Sequence, residues 1–432
     1  MTSNVRNGLL IASSSSGSGK TVITLALLRA LKNAGFYITS AKAGPDYIDP
    51  AFHALASGHS SVNLDPWAME APRIAMLAKR QEGDHLIVEG MMGLFDGAVD
   101  GSGSAAELAK KLGVPTILVI DVAKQSQSVA ALVRGFRDHD PLVKIAGVIL
   151  NNVGSSRHEG MLRRALGEIK VDVFGIIHRS DEFKLPERHL GLVQAGETHD
   201  IEFFIEAAAE SLSKTCDLIK IAECFSPLKV RKRKGTPLPP LGQEIAIAKD
   251  EAFSFIYPHL LDDWREQGAS LSFFSPLADE APKTGVDAIY LPGGYPELYA
   301  DKLAHADDFK TAMIIARNRE TLIYGECGGY MVLGEGLVDG GGKSHAMTGL
   351  LNLETSFANR KLHLGYRKLT TTDFALGDTL NGHEFHYTVA TQEEGDALFK
   401  VKDAFGEDLG KFGLRNGTVM GSYMHVIDGS KG

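Results

Sequence analysis

Residues 7–35 read NGLLIASSSSGSGKTVITLALLRALKNAG. An apolar run enters a Ser/Gly-rich turn, and an amphipathic pattern follows until Gly35. The stretch predicts strand, loop, helix. A continuously apolar strand is buried on both faces, as in a parallel sheet covered by helices. The loop carries Gly19-Lys20-Thr21 between strand and helix, which is the context a phosphate-binding loop requires. Ser16, Gly17, Ser18, Gly19, Lys20 and Thr21 are therefore the ATP-binding candidates. Their backbone N–H groups and the helix N-terminus would wrap the phosphates. Lys20 would bridge the β- and γ-phosphates, and the Thr21 hydroxyl would hold Mg²⁺. Ser14 stands where such loops usually begin with glycine.

The alternation continues to about residue 225, through HLIVEGMMG, PTILVIDV, IAGVILNN and VFGII. Strand C-terminal ends line the ligand crevice of a doubly wound sheet. AKAGPDYIDP (41–50) and LIVEGMMGLFDG (86–97) both follow strands and carry carboxylates. Mg²⁺ takes oxygen ligands, so Asp46 and Glu89 are the expected metal ligands beside Thr21. Asp49 and Asp96 are weighed equally against helix caps and loop turns. Lys42, at a strand end, would meet a substrate carboxylate. Asn151 or Asn152, ending GVILNN, would read the adenine edge.

The 432 residues suggest two or three domains, and a net charge of −9 gives no support for nucleic-acid binding. Three cysteines, Cys216, Cys224 and Cys327, form no metal spacing or disulfide framework, as expected of a cytoplasmic protein. No apolar run approaches membrane-spanning length. Composition places an N-terminal domain at 1–228, a basic and Pro-rich linker at 229–242 and a second α/β domain at 243–432.

In the second domain, TLIYGECGGYM (321–331) describes a strand, a sharp glycine-flanked corner and a helix. Such an elbow would expose Cys327 as a nucleophile, and a helix N-terminus would depress its pKa. His425, in GSYMHVID, is the candidate base. LPGGYPE (291–297) ends another strand, and the Gly294 N–H would pair with that of Gly328 as an oxyanion hole. Cys216 and Cys224 occupy helical or linker sequence and are read as structural.

PGGYPE, GECGGYM and SYMH resemble a class I glutamine amidotransferase domain, and the N-terminal half resembles the dethiobiotin-synthetase-like ATPases. The pair in this order, with KAGPDYIDP, VEGMMGLFDG and GHEFHYT (382–388), resembles the cobyrinic or hydrogenobyrinic acid a,c-diamide synthases over essentially the whole chain. The resemblance implies two doubly wound α/β domains, a P-loop parallel-sheet ATPase followed by the amidotransferase. It implies a cytoplasmic ligase of cobalamin biosynthesis that uses ATP, Mg²⁺ and glutamine to amidate a corrin through an acyl phosphate. Glutamine is cut at Cys327 with His425 as base. Asp46 and Glu89 go to the metal and phosphates. Tyr47, Asp49 and Asp96 go to the corrin carboxylate and its acyl phosphate. The expected partners are small molecules, with no nucleic acid and no membrane, and a homodimer is the assembly to test.

Three rivals stand beside this reading: a cobyric acid synthase, a nickel-sirohydrochlorin a,c-diamide synthase, and a ParA/MinD-like nucleotide switch. The switches carry a second lysine where Ser15 stands here. Two features are set apart. Ile427 occupies the position where amidotransferase triads usually place a glutamate, followed by Asp428, so a Cys–His pair without a buried orienting carboxylate is expected. In GHEFHY, His383, Glu384 and His386 are read as corrin-contacting, as domain-facing or as plain β-packing, with a metal site the weaker alternative.

Overall fold

In the computed structural model, residues 7–179, 187–188, 191–192, 200–229 and 235–430 are described. β1 (Asn7–Ser13) lies inside a sheet of parallel strands. It is flanked by β2 (Ile38–Ala43), β3 (Ser61–Leu64), β4 (His85–Glu89), β5 (Thr116–Asp121), β6 (Ile145–Val153) and β7 (Val173–His178), in the order β3-β2-β4-β1-β5-β6-β7. Leu9, Leu10 and Ile11 are wholly buried, as two covered faces require. Helices α1 (Lys20–Asn33), α2 (Asp49–Ser57), α3 (Ala71–Arg80), α4 (Ala105–Leu112), α5 (Ser128–His139) and α6 (Ser156–Glu168) alternate with the strands. α7 (Ile201–Thr215) follows and packs on α1.

α1 buries Leu25, Leu27, Leu28 and Leu31. Each contributes about 1.5–3 kcal/mol by leaving water. The strand order brings β2, β4 and β1 side by side, with Lys42 opposite Glu89 and Ile11 opposite Glu89 in register. The ends of those three strands therefore deliver the phosphate loop, Lys42 and Glu89 to one place.

The chain divides into two compact units, Met1–Gly235 and Thr236–Gly432. In the second, strands Ser270–Phe274, Glu244–Ala248, Ala288–Leu291, Leu322–Glu326 and Val419–Ser422 run parallel, with Leu414–Asn416 antiparallel at the edge. An antiparallel sheet holds Asp408–Phe412, Phe399–Lys402, His363–Thr370, Thr379–His386 and Met424–Gly429. Only Tyr423 separates Val419–Ser422 from Met424–Gly429, so the chain passes from one sheet to the other beside the Cys327 corner. Residues 230–234 of the basic run lie outside the described residues. Among the described residues, no helix is long and apolar enough to cross a membrane.

Candidate active sites

At the first site the loop turns through left-handed glycines, Gly17 (φ 76°) and Gly19 (φ 80°). Ser18 Oγ donates to the Ser15 carbonyl at 2.8 Å, and Ser13 Oγ donates to the same carbonyl at 2.9 Å. The loop is also tied to residues 90–96 through one carbonyl. Met92 O accepts from Lys20 Nζ at 2.8 Å and from Ser13 Oγ at 3.1 Å. Met92 itself is left-handed (φ 50°). The sequence offers no side-chain signal for this contact, because it is made by backbone.

Around Lys42 the structure gathers Asp46, Asp49, Glu89 and Thr21. The buried Lys42 ammonium bonds Asp49 Oδ2, meets Glu89 Oε1 at 2.9 Å and lies 3.6 Å from Asp46 Oδ2. Burial alone would lower its pKa, but Asp49, Glu89 and Asp46 hold it well above the ordinary value. Lys42, expected to await a substrate carboxylate, is thus already surrounded by the chain's own. Thr21 Oγ1 donates to Glu89 Oε1 at 2.7 Å. Burial would raise Glu89, yet Lys42 and His53 hold it well below the carboxylate range. Burial and then Asp46 push Asp49 up to about 6. Burial and then Lys42 push Lys20 down to about 8; phosphate oxygens would oppose that shift.

His53, wholly buried in α2, meets Glu89 Oε2 at 2.6 Å. Sequence reasoning missed it, since a histidine in FHALAS carries no motif. Asp46 Oδ1 accepts from the N–H groups of Ile48 and Asp49, both at 2.9 Å, while Oδ2 faces Lys42. Tyr47 is half-buried on the same turn. Asp96 Oδ2 accepts from Gly93 N at 2.9 Å, so it closes its own loop. Thr21, Asp46, Asp49 and Glu89 offer only oxygen, and their carboxylates already enclose an ammonium. That set fits a hard divalent cation.

A cavity of about 200 Å³ adjoins the loop, lined by Gly17, Gly19, Val22, Ile23, Asn151 and Asn152, and by Ala208, Ser211 and Leu212 of α7. Its mixed lining suits a purine base. Both asparagine amides are engaged: Asn151 Nδ2 donates to Ser18 O at 3.0 Å, and Asn152 Nδ2 to Asp121 Oδ2 at 3.1 Å. Asn151 therefore braces the phosphate loop rather than presenting its amide N–H freely. A Cβ at Gly19 would stand 2.3 Å from Asn151 Nδ2. Gly19→Ala combines that clash with a left-handed backbone costing about 1–2 kcal/mol for other residues. ATP affinity should fall about tenfold or more, the equivalent of 1.4 kcal/mol; titration with a fluorescent ATP analogue measures it.

At the second site Cys327 holds φ 46° and ψ −104° between strand Leu322–Glu326 and the short helix Gly328–Leu333. Such backbone costs about 1–3 kcal/mol and persists where the surroundings impose it. They do so here. Cys327 N donates to Ser422 O at 2.8 Å, and a Cβ on Gly329 would stand 2.0 Å from Leu291 O. Gly293 measures the convergence of the reacting groups. A Cβ there would lie 2.3 Å from His425 Cε1, 3.2 Å from its Nε2 and 3.3 Å from Cys327 Cβ. A Cβ on Gly328 would lie 3.0 Å from Gly294 N. Cys327, His425, Gly294 and Gly328 are thus neighbours.

The expectation of a depressed thiol pKa is corrected. Burial, then Glu297, pushes Cys327 far above the ordinary value. The helix behind it has six residues, and carboxylates of Glu297, Glu326 and Glu384 surround it. Burial, then His383 and His386, holds His425 well below its ordinary value. Both shifts favour the thiol and the neutral imidazole over the charged forms. The expectation that no buried carboxylate attends His425 is also corrected. Ile427 only offers its carbonyl to His259 Nε2 at 2.9 Å, but buried Glu326 places Oε2 3.9 Å from His425 Nδ1.

In GHEFHY, His383 pairs in register with His425, whereas His386 pairs with His363. Among the described residues, the ligand atoms of His363, Glu384 and His386 lie within 4.8 Å of one another. The His363 and His386 rings stack in parallel, 6° apart, and Arg367 already pairs with Glu384 at 2.7 Å. The stacked rings and the carboxylate paired with Arg367 make a packed polar cluster. The two histidines of the motif do not form a joint metal site.

Residues 9–193 match the CobQ/CobB/MinD/ParA nucleotide binding domain, and residues 244–431 match the CobB/CobQ-like glutamine amidotransferase domain. The chain is 55% identical to the hydrogenobyrinate a,c-diamide synthase of Rhizobium meliloti (strain 1021), covering 98% of this chain and 100% of that protein. Proteins of the same description from Brucella anthropi and Rhodobacter capsulatus are 54% and 46% identical, covering 98% of this chain and 98% and 99% of theirs.

Proposed function

The chain belongs to the hydrogenobyrinate a,c-diamide synthase family, and from that premise we propose that it amidates the a and c carboxylates of hydrogenobyrinate with ATP and glutamine. The observation that carries this is similarity at 55% identity across both units together. The nucleotide-binding match alone would also accommodate a MinD- or ParA-like switch. A switch has no use for the Cys327 corner.

In this reading a corrin carboxylate oxygen attacks the γ-phosphorus of ATP, the P–O bond to ADP breaks, and an acyl phosphate forms. Ammonia then attacks the acyl carbon, phosphate leaves, and the amide remains. The loop N–H groups of residues 16–19 and Lys20 hold the phosphates. Thr21, Asp46 and Glu89 would hold Mg²⁺, which would neutralise phosphate charge when bound. Tyr47 and Asp49 lie beside the reacting carboxylate, Lys42 neutralises the acidic groups that line its site, and Asp96 shapes the neighbouring loop. Asn151 and Asn152 sit against the adenine.

Ammonia arises at the other site. Cys327 gives its proton to His425 as sulfur attacks the glutamine carboxamide. The oxyanion meets the N–H groups of Gly294 and Gly328. The carbon–nitrogen bond breaks as His425 returns the proton to the departing nitrogen, and water hydrolyses the thioester. Because burial disfavours both the thiolate and the imidazolium, deprotonation of the thiol belongs to the attack itself.

The test is mass spectrometry of product formed from hydrogenobyrinic acid, with cobyrinic acid alongside. An OH-to-NH₂ exchange at both the a and c positions, dependent on ATP and glutamine, is expected. Product amidated at other side chains would assign the chain to cobyric acid synthase chemistry. Preference for a nickel sirohydrochlorin would assign it to that rival instead.

A further inference from the structure

Glu326 is the residue immediately before the nucleophile, and it is 1% exposed. Its Oε1 accepts from Tyr324 OH at 3.0 Å and from Val426 N at 3.1 Å. Its Oε2 accepts from Tyr290 OH at 2.8 Å and lies 3.9 Å from His425 Nδ1. The three donors favour the ionised carboxyl group and oppose the burial that raises its pKa. Oε2 has one donor and faces the imidazole with its remaining capacity. Gly293 lies between the ring and the nucleophile: a Cβ there would stand 3.2 Å from His425 Nε2 and 3.3 Å from Cys327 Cβ.

We propose that Glu326 is the positioning carboxylate of His425, orienting its Nδ1–H so that Nε2 takes the Cys327 proton. The inference rests on Cys327 and His425 being the glutamine-hydrolysing pair. When Cys327 gives its proton to Nε2, the imidazole becomes a cation inside a buried site. On strand Thr379–His386, His383 and His386 both disfavour that charge, and the Glu384 carboxylate is already engaged by Arg367 and His386. Glu326 supplies the opposite charge on the Nδ1 side, and a movement of roughly 1 Å makes a charge-assisted hydrogen bond of about 2.7–2.9 Å. The position differs from the familiar one: the carboxylate arrives from the nucleophile strand, one residue before cysteine, instead of two residues after histidine. Tyr290, Tyr324 and the Val426 N–H hold it there, and the last of these lies on the strand of His425 itself.

The experiment is steady-state glutamine hydrolysis over pH, with ammonia-dependent amidation measured in parallel on the full chain. Glu326→Gln should lower the kcat for glutamine by about 10²–10⁴, the range seen when a base or its orienting carboxylate is lost. KM for glutamine and ammonia-dependent amidation should be unchanged. Burial pushes Glu326 up to about 7, so it ionises as pH rises, and wild-type activity should rise through an acid limb in that region. Glu326→Gln should lack that limb. Tyr290→Phe removes a donor that favours the anion, so its acid limb should move to higher pH while its plateau changes little.

Wild-type kcat and an unchanged pH profile in Glu326→Gln would overturn the proposal. So would loss of both glutamine- and ammonia-dependent turnover in that variant together with an unmoved limb in Tyr290→Phe, which would make Glu326 a support of the fold. If Cys327→Ser still consumed glutamine, the reading of the pair would fail first, separately from the role of Glu326.

Discussion

Cys327→Ser is expected to lower glutamine-dependent amidation by at least about 10³-fold, because loss of a nucleophile removes the whole covalent route. Ammonium added in place of glutamine should support amidation as well in the variant as in the wild type. The asymmetry follows from chemistry. A serine hydroxyl is far less acidic than a thiol, and the base beside it is weak: burial, then His383 and His386, keeps His425 well below its ordinary pKa. The thiol reacts because sulfur is soft and nucleophilic even when its proton leaves only during attack. Serine keeps the size and the strained corner, so the fold should survive, and the ammonia arm reports that directly. Loss of both activities would mean that Cys327 serves the carboxylate-activating chemistry too.

Much of this is legible because the decisive signals are local. Strand, loop and helix in residues 7–35 occur in one continuous stretch, and continuously apolar strands announce a covered parallel sheet. The rule that strand ends face the crevice is enough to nominate Lys42, Asp46, Asp49 and Glu89 together. The contributions that escape are those the chain makes at a distance or without side chains. α7 walls the base cavity from about 190 residues beyond the phosphate loop. Met92 acts through its carbonyl. His53 is identifiable only once α2 is seen to lie over Glu89. Glu326 is in plain view in GEC, but its neighbour His425 is contributed by another sheet. The Cys327 pKa is misread from sequence for the same reason. A helix N-terminus is visible there, whereas burial and three surrounding carboxylates are not.

Glu89→Gln should produce the opposite functional split: both glutamine- and ammonia-dependent amidation lost by about 10² or more, with glutamine hydrolysis at Cys327 intact. Magnitudes of this size accompany removal of a preorganised charge at a phosphoryl-transfer site. Glu89 is the junction of the first site, meeting Thr21 at 2.7 Å, Lys42 at 2.9 Å and His53 at 2.6 Å. A glutamine side chain keeps the shape but sets an NH₂ donor against either Lys42 and Thr21 or His53. Breaking a buried pair costs about 3–5 kcal/mol when the partner charge is stranded. Here Asp49 and Asp46 still neutralise Lys42, so the loss of stability should fall at or below the lower end. The pH dependence fixes the cause. Burial would raise Glu89, but Lys42 and His53 outweigh it and hold the carboxyl below the ordinary range. Its ionised form therefore stabilises the fold above the unfolded-state pKa of about 4.3, and that contribution is lost as pH falls toward the folded-state value. The gap in Tm between wild type and Glu89→Gln should be widest at neutral pH and narrow below about pH 4. A gap independent of pH would show that the substituted amide is merely misfitted, and retained ammonia-dependent amidation would remove Glu89 from the phosphate chemistry altogether.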